Sequence, residues 1–382
     1  MKCKIFLFLT ATTIFATASS PARAVEQWSF TPLPYLPQGS MSIPLTINNG
    51  GQIIGTSYGS TQRTFIYEGG YINELPNQLP IGLYTKSIND NGQIAGFGYP
   101  DGFNNRTKAV IWSDAGIQNL GALVSGGAST ATDINNNGQI VGFSENNYYT
   151  QNTRAVVWND SKISNLGVLY GGNNSYANAI NDAGLVVGYS SGGLISGNRA
   201  TLWQNGEIID LTFGSGSDSE AIDINSIGQI VGTINGRATL WFQGSTIDLG
   251  TLEGHMHSVA KSINSDGWAV GYSDGASNVS GDERATLWRN GNATDLNSLD
   301  AVLASGWKLY SATQINDSGH IIGMGINPNG NFYQGFLLSP VPEPATFSFM
   351  LLGLLSIFCT TIKSGRVKTK NRTPQQMHAH TI

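Results

Sequence analysis

One short motif recurs seven times along the chain and constrains the fold more than any other feature. The motif is Ile-Asn-x-x-Gly-x-x-x-Gly, and successive copies are 41, 46, 46, 44, 39 and 52 residues apart. Self-similarity at such a period indicates a propeller or a solenoid. The seven asparagines are Asn48, Asn89, Asn135, Asn181, Asn225, Asn264 and Asn316.

The motif predicts a β-hairpin. An Asn side chain can satisfy main-chain donors in a turn, and the first glycine can supply the positive φ that ends it. An apolar strand follows at once, as in residues 139–141. The second glycine lies inside that strand, where glycine weakens a sheet unless a neighbouring group approaches closely. We therefore predict a packing role for it.

Two further strands are predicted in each unit. The first is a short apolar run such as residues 154–158, which reads as a strand covered on both faces. A Trp at its end is suited to burial between neighbouring sheets. A last short strand follows a polar turn, as in residues 246–250. The five tryptophans in this position are Trp112, Trp158, Trp203, Trp241 and Trp288.

Four strands in each of seven units predict an all-β, seven-bladed β-propeller over residues 25–340. The seventh unit stops after Leu338 without a fourth strand, whereas residues 28–33 resemble a fourth strand with no unit of their own. We expect this N-terminal strand to complete the last blade and remove a free sheet edge. An open solenoid, the alternative, needs polar capping units, and none is evident.

The repeat unit resembles the HAF family of extracellular repeats, whose strand reads His-Ala-Phe-Leu-Trp and precedes Asp-Leu-Gly-x-Leu. Here Arg or Lys replaces the His, while the Ala and Trp remain, and residues 248–252 read Asp-Leu-Gly-Thr-Leu. The resemblance covers most of residues 30–338. It implies a location outside the cell and no established chemistry.

Residues 1–24 have the layout of a signal peptide. Lys2 and Lys4 precede an apolar run, and Ala22-Arg23-Ala24 offers small residues at the −3 and −1 positions of a cleavage site. An uncleaved membrane anchor is the alternative, although the run is short for a membrane span. We therefore expect export.

The C-terminal region, residues 341–372, has the pattern of a second targeting signal. Pro342, Glu343 and Pro344 precede an apolar stretch at 345–362, which we predict to be a transmembrane helix, and then a basic cluster and a tail at 373–382. This order resembles the PEP-CTERM sorting signal, which implies an exosortase-like enzyme as partner. A plain membrane anchor is the alternative. Either way, the propeller is expected at the cell surface or beyond it.

Charge and cysteine content narrow the classes of partner. Residues 25–340 contain 12 Lys and Arg against 24 Asp and Glu. Such an acidic body argues against binding nucleic acid or anionic lipid through phosphate neutralisation. The two cysteines, Cys3 and Cys359, lie in the terminal apolar segments. The body therefore has no disulfide framework and no thiol chemistry.

Metal and catalytic sites find little support. Asp133-Ile134-Asn135-Asn136-Asn137-Gly138 begins like a calcium loop, but no Glu stands at its twelfth position, and a turn explains what the copies share. His255 and His257 lack a third ligand. No Gly-x-Ser-x-Gly nucleophile turn is present in a strand–helix context. We therefore predict no catalytic, cofactor or metal residues.

Two repeated features suggest binding surfaces. A basic residue precedes Ala (Thr in the first copy) in six third strands, which predicts either a ring facing an anionic polymer or ion pairs between blades. The basic residues are Arg63, Lys108, Arg154, Arg199, Arg237 and Arg284. The longest loops join second and third strands and should project from one face. Their aromatic residues, suited to stacking on sugars, are Tyr99, Phe103, Tyr148 and Tyr149.

The function predicted from these observations is that of a non-enzymatic surface or extracellular-matrix protein that binds polysaccharide or another surface component. The alternative is a carbohydrate-active enzyme, a lyase or glycosidase, because propeller loops converge on one face and can bring two carboxylates together. A spacer without a ligand is the third hypothesis.

Overall fold

Seven four-stranded antiparallel sheets form the blades of a β-propeller, which confirms the predicted fold class. The computed structural model describes residues 27–75, 81–99, 106–146, 152–160, 162–213, 216–275, 282–329 and 333–341. The first strands of adjacent blades run beside one another around a central channel. Each blade therefore extends outward from the channel in strand order.

Blades 1 to 6 each use four consecutive strands. Blades 1 to 3 contain β2 (Gly39–Ile47), β3 (Ile53–Gly59), β4 (Gln62–Glu68) and β5 (Tyr71–Glu74); β6 (Ile81–Ile88), β7 (Ile94–Tyr99), β8 (Lys108–Ser113) and β9 (Gly116–Asn119); and β10 (Ser129–Ile134), β11 (Ile140–Glu145), β12 (Thr153–Asn159) and β13 (Lys162–Gly167). Blades 4 to 6 contain β14 (Asn174–Ile180), β15 (Val186–Gly192), β16 (Ile195–Gln204) and β17 (Glu207–Asp210); β18 (Ser219–Ile224), β19 (Ile230–Ile234), β20 (Arg237–Phe242) and β21 (Ser245–Asp248); and β22 (His257–Ile263), β23 (Ala269–Asp274), β24 (Arg284–Arg289) and β25 (Asn292–Asp295).

Blade 7 joins the two ends of the propeller. Its first three strands are β26 (Lys308–Ile315), β27 (Ile321–Ile326) and β28 (Tyr333–Pro340), and its outer strand is β1 (Trp28–Pro32). β1 pairs antiparallel with β28, from Trp28 opposite Pro340 to Pro32 opposite Phe336. The predicted closure by the N-terminal strand is therefore confirmed.

The connection from blade 6 to blade 7 contains a 3₁₀ turn (Leu296–Ser298) and the short helix α1 (Asp300–Ser305). It accounts for the longest interval of the repeat. Leu296 and Val302 are buried against blades 6 and 7. The sequence pattern did not predict these helical turns.

Every innermost strand carries a β-bulge three residues before the motif asparagine. The second motif glycine lies opposite the bulge. A Cβ on Gly142 would meet the Thr130 carbonyl oxygen at 2.0 Å, and the equivalent contacts in the other blades are 1.9 to 2.5 Å. Only glycine fits there, because the bulge moves a carbonyl of the first strand onto the second strand.

The motif asparagines link each blade to the next. Asn135 Oδ1 accepts hydrogen bonds from its own turn, at Asn137 N and Gln139 N, over 3.1 and 2.9 Å. Its Nδ2 donates across the blade boundary to the Asn181 carbonyl oxygen over 3.0 Å. The same donation occurs from all seven asparagines, so the bonds form a closed ring. The first motif glycine has a φ of 76–83° in every copy.

The apolar core lies between adjacent blades. Trp158 of blade 3 is 1% exposed and packs with Ala95 and Ala109 of blade 2. Trp203, Trp241 and Trp288 occupy the same position at the next three boundaries. Trp112 is partly buried against Ile54 of blade 1. Burial of these rings stabilises the packing of one sheet on the next.

The propeller, Trp28–Pro340, is one compact unit. The proposed signal peptide, the Pro342-Glu343-Pro344 motif, the predicted helix at 345–362 and the tail lie outside the described residues. Within the described ranges, no helix is long and apolar enough to span a membrane.

Candidate ligand-binding pocket on the loop face

The two faces of the propeller carry different connections between strands. The hairpin face carries the turns between first and second strands, and therefore the asparagine ring. The loop face, at the opposite end of the channel, carries the connections between second and third strands and between blades. Binding residues usually lie in such connections on a rigid scaffold.

The bulges give each blade one variable side chain near the channel. A bulge is an extra residue that re-aims a side chain, and bulges are common beside functional sites. The backbone feature is the same in all blades, but the residue differs. The seven bulge residues are Leu45, Lys86, Thr132, Asn178, Ile222, Lys261 and Thr313.

A cavity of about 480 Å³ lies at one of these positions, bounded by blades 6, 7 and 1. Most of its wall is aromatic or aliphatic, and a few charged groups converge on it, which is the usual composition of a ligand site. We call it the loop-face pocket. Its lining residues are Met41, Ile43, Lys261, Tyr272, Asp274, Glu283, Tyr310, Ser311, Met324 and Tyr333.

Lys261, the bulge residue of β22, is the cation of the pocket. Its Nζ donates to Ser311 Oγ over 3.0 Å and lies 5.0 Å from the ring centroid of Tyr272. Burial lowers the pKa of this ammonium from its ordinary value. Among the described residues, no carboxylate lies within ion-pair distance of Lys261.

Two carboxylates, Asp274 and Glu283, line the same pocket as Tyr272. Burial raises the pKa of Tyr272, and the charges of Asp274 and Glu283 raise it further. The phenol therefore stays neutral and can donate a hydrogen bond at neutral pH. His257 Nδ1 lies 3.4 Å from Asp274 Oδ1, a contact that becomes an ion pair when the imidazole is protonated.

Tyr310 and Tyr333 form the aromatic wall. Their rings meet edge to face at 5.5 Å, and Lys308 Nζ lies 5.0 Å from the centroid of Tyr310. Tyr333 remains 48% exposed. A rigid, partly exposed aromatic ring with a polar tip offers a flat surface and a hydrogen-bonding group to a ligand.

A second aromatic cluster lies between blades 3, 4 and 5. Tyr176 stacks on Tyr189 at 4.8 Å and meets Phe143 edge to face at 5.1 Å. Burial, Glu220 and Tyr176 raise the pKa of Tyr189 to about 12. Asn178, the bulge residue here, donates to Glu220 Oε1 over 2.9 Å, so this cluster is internally satisfied.

Of the four loop aromatics predicted from the sequence to bind a ligand, one lies among the described residues. Tyr99 ends β7, where it pairs with Ile81 and is partly buried. Phe103, Tyr148 and Tyr149 lie outside the described residues. The pocket instead uses Lys261, Tyr272, Tyr310 and Tyr333, which are strand residues. The signal for Lys261 is that the residue three before each motif Asn varies from copy to copy.

The repeated basic residues lie on third strands and not on the innermost strands around the channel. Arg63, Arg199 and Arg237 pair with Glu74, Asp210 and Asp248 on the fourth strand of their own blade. The expectation of acidic partners in neighbouring blades is therefore wrong for these three residues. The third and fourth strands of a blade are hydrogen-bonded neighbours, and their register brings the arginine and the carboxylate together within the blade.

The residues considered for a calcium site lie on the hairpin face. A polar cavity of about 190 Å³ lies there, inside the asparagine ring. Asp133 accepts from Ser87 Oγ over 2.6 Å and from Ile180 N over 2.8 Å, so its two oxygens already join blades. Asp223 bonds Ile263 N in the same way over 2.9 Å. Within the described residues, no three His, Cys, Asp or Glu side chains are grouped to hold a metal ion.

Comparison with known proteins gives similarity of fold only. No protein-family model matches the chain, and no curated protein matches it. A puromycin-hydrolysing peptidase from Mycobacterium tuberculosis is 13% identical with a TM-score of 0.48, over 77% of this chain and 52% of that one. An acylaminoacyl peptidase from Pyrococcus horikoshii is 10% identical with a TM-score of 0.48, over 83% and 55%.

A β-propeller domain of the Trilobed protease from Pyrococcus furiosus is 11% identical with a TM-score of 0.36, over 68% of this chain and 99% of that domain. This chain spans about half the length of the two peptidase structures. Similarity at this level assigns no activity to the chain.

Proposed function

We propose that this chain is an exported, non-enzymatic surface or extracellular-matrix protein that binds polysaccharide in the loop-face pocket. The observation that carries the proposal is the exposed tyrosine wall, Tyr310 with Tyr333, beside the polar groups of Lys261 and Ser311. A sugar ring presents apolar C–H faces and hydroxyls, which match an aromatic surface flanked by donors and acceptors.

The rigidity of the site supports binding. Tyr272 lies on a strand that is hydrogen-bonded on both sides. Lys261 and Tyr310 lie on first strands, which are hydrogen-bonded on one side and packed against neighbouring blades. Sites on rigid elements lose little conformational entropy when a ligand binds. A repeated scaffold with one distinctive pocket fits a protein that holds a polymer at a defined point.

The test is binding of the full chain, purified in detergent, to a panel of soluble polysaccharides measured by calorimetry. We expect stoichiometric binding without cleavage, weakened about tenfold or more by Tyr333→Ala, because losing an aromatic contact costs about 1–3 kcal/mol. Tyr71→Ala is the matched control, since Tyr71 is 76% exposed and remote from the pocket lining. Failure to retain any polymer would leave the spacer hypothesis.

The second candidate is a glycosidase, favoured by one observation: Asp274 and Glu283 line the same pocket. Two carboxylates flanking a sugar are the minimum for glycoside hydrolysis. Release of new reducing ends by the full chain, abolished by Glu283→Gln, would establish the enzyme and refute the proposed non-enzymatic role. Binding without new reducing ends supports the role proposed first.

The proposed location at the cell surface is inferred from the two terminal segments. Residues 1–24 would direct export, and Pro342-Glu343-Pro344 with the helix at 345–362 would engage an exosortase-like enzyme and the membrane. Replacing the three residues with alanine should leave the protein in the membrane fraction instead of at the surface. Normal delivery of that variant would reject the sorting-signal hypothesis in favour of a plain anchor.

A further inference from the structure

Within the loop-face pocket, Lys261 is a cation without a carboxylate partner among the described residues. An ammonium has three donors, and Ser311 Oγ and the face of Tyr272 account for its recorded contacts. Removing a charge from water is unfavourable unless another charge or several hydrogen bonds replace the water. This lysine therefore retains unused capacity for an anion.

We propose that the pocket recognises an acidic sugar unit, whose carboxylate or sulfate pairs with the Lys261 ammonium. The inference rests on the proposed function and adds the chemical class of the ligand. An anionic group at Nζ would supply the missing counter-charge, and a charge-assisted hydrogen bond is about twice as strong as a neutral one.

The two carboxylates of the pocket fix the orientation of such a unit. The charges of Asp274 and Glu283 raise the pKa of Tyr272, whereas the Lys261 ammonium lies over the face of the same ring. Carboxylates accept hydrogen bonds from sugar hydroxyls and repel an acidic group. The acidic substituent is therefore directed to Lys261 and the neutral hydroxyls to the carboxylates, so the charge pattern selects one orientation.

The repeat itself supplies a matched control. Lys86 occupies the same bulge position in blade 2, and its Nζ lies 5.7 Å from the ring centroid of Phe97. Lys86 is exposed and does not line the loop-face pocket. Lys261 and Lys86 thus share backbone geometry and an aromatic partner, and they differ in burial and in the pocket.

The experiment measures binding of the full chain to a galacturonic acid oligosaccharide and to the corresponding neutral galactose oligosaccharide. We expect the charged probe to bind about 30-fold more tightly, because losing one partner of a desolvated charge pair costs 2 kcal/mol or more. Lys261→Met should remove this preference, so that the charged probe binds no more tightly than the neutral one. Lys261→Arg should retain most of the preference, and Lys86→Met all of it.

The outcomes separate the two proposals. Equal affinity of the wild-type chain for both probes, or an unchanged preference in Lys261→Met, would overturn the inference while leaving polysaccharide binding intact. Binding of neither probe would overturn both. Salt provides a second readout, since added salt should weaken the charged probe and leave the neutral one unaffected. Melting temperatures of the variants establish that each is folded.

Discussion

Asn316 of blade 7 donates from Nδ2 to the main-chain oxygen of Asn48 in blade 1 over 2.9 Å. This bond joins residues 268 positions apart and closes the ring begun by the other six asparagines. It lies on the innermost strands, whereas the β1–β28 pairing closes the propeller on the outside. The last blade is thus secured at both its inner and its outer edge.

Replacing one ring asparagine should destabilise the whole propeller. Asn135→Ala removes two acceptor contacts to its own turn and the donor to Asn181. Unsatisfied buried groups cost about 1–3 kcal/mol each, so we expect a loss of roughly 3 kcal/mol in urea unfolding. Asn119→Ala, which removes one exposed turn contact to Gly121, should cost less than about 1 kcal/mol. Equal losses in the two variants would contradict the ring's role.

The N-terminal strand should contribute through the partly buried ring of Phe30 as well as through its hydrogen bonds. Phe30 meets Trp307 edge to face at 5.2 Å and lies 6.2 Å from Phe336. Phe30→Ala should lower the melting temperature and cost about 2 kcal/mol, less than the loss of a fully buried aromatic, because the ring is only partly buried. Tyr71→Ala is the control. An unchanged melting temperature for Phe30→Ala would show that β1 does not stabilise blade 7.

The glycine opposite the bulge should tolerate no side chain. Gly142→Ala would place a methyl group 2.0 Å from the Thr130 carbonyl oxygen, so a strand must move. We expect a loss of about 3 kcal/mol or more, or failure to fold, since overpacking against main chain has no soft partner to displace. A melting temperature within two or three degrees of the wild type, on the order of 1 kcal/mol or less, would refute the close approach.

Stability should fall as pH rises through the pKa of Asp223. Burial, with the charge of Asp133, raises the pKa of Asp223 to about 6 from an ordinary 3.8. The folded state therefore holds a proton that the unfolded chain has released. The resulting stabilisation is complete below about pH 4 and is lost as pH rises through 6.

From pH 5 to pH 7.5 we expect Asp223 to contribute a loss of roughly 1–2 kcal/mol in the free energy of unfolding. Asp223→Asn should remove that contribution from the pH profile. A profile unaltered by Asp223→Asn would show that this carboxyl does not titrate in that range.

Local chemistry made much of the fold predictable. A turn asparagine, a glycine at positive φ and an apolar run ending in Trp158 or its equivalents each impose a conformation or a burial pattern within a few residues. Seven copies then fix the number of blades. The fourth strand missing from the last copy is matched by residues 28–33. The bulges left a weaker trace, a position three before each motif Asn that varies from copy to copy, and pattern alone did not assign it to any function.

The candidate site was not predictable in the same way. Lys261, Tyr310 and Tyr333 come from blades 6 and 7, and Met41 comes from blade 1, so only ring closure brings them together. The loops, favoured for their length and aromatic content, gave one described residue, Tyr99, which lies in a strand. The basic residues also required the structure, because the register of adjacent strands decides that Arg199 meets Asp210 in its own blade.

By itself, the sequence determined the repeat and the blade, because both depend on conformational preferences and burial within about fifty residues. It also predicted the closure, because the fourth strand missing from the last copy matched a strand at the N-terminus. The tertiary structure decided which of the seven equivalent positions carries a pocket. Equivalent bulges place one such residue in every blade, and at Lys261 a hydroxyl, an aromatic face and a cavity coincide. That coincidence depends on neighbours distant in the chain, and local pattern does not encode it.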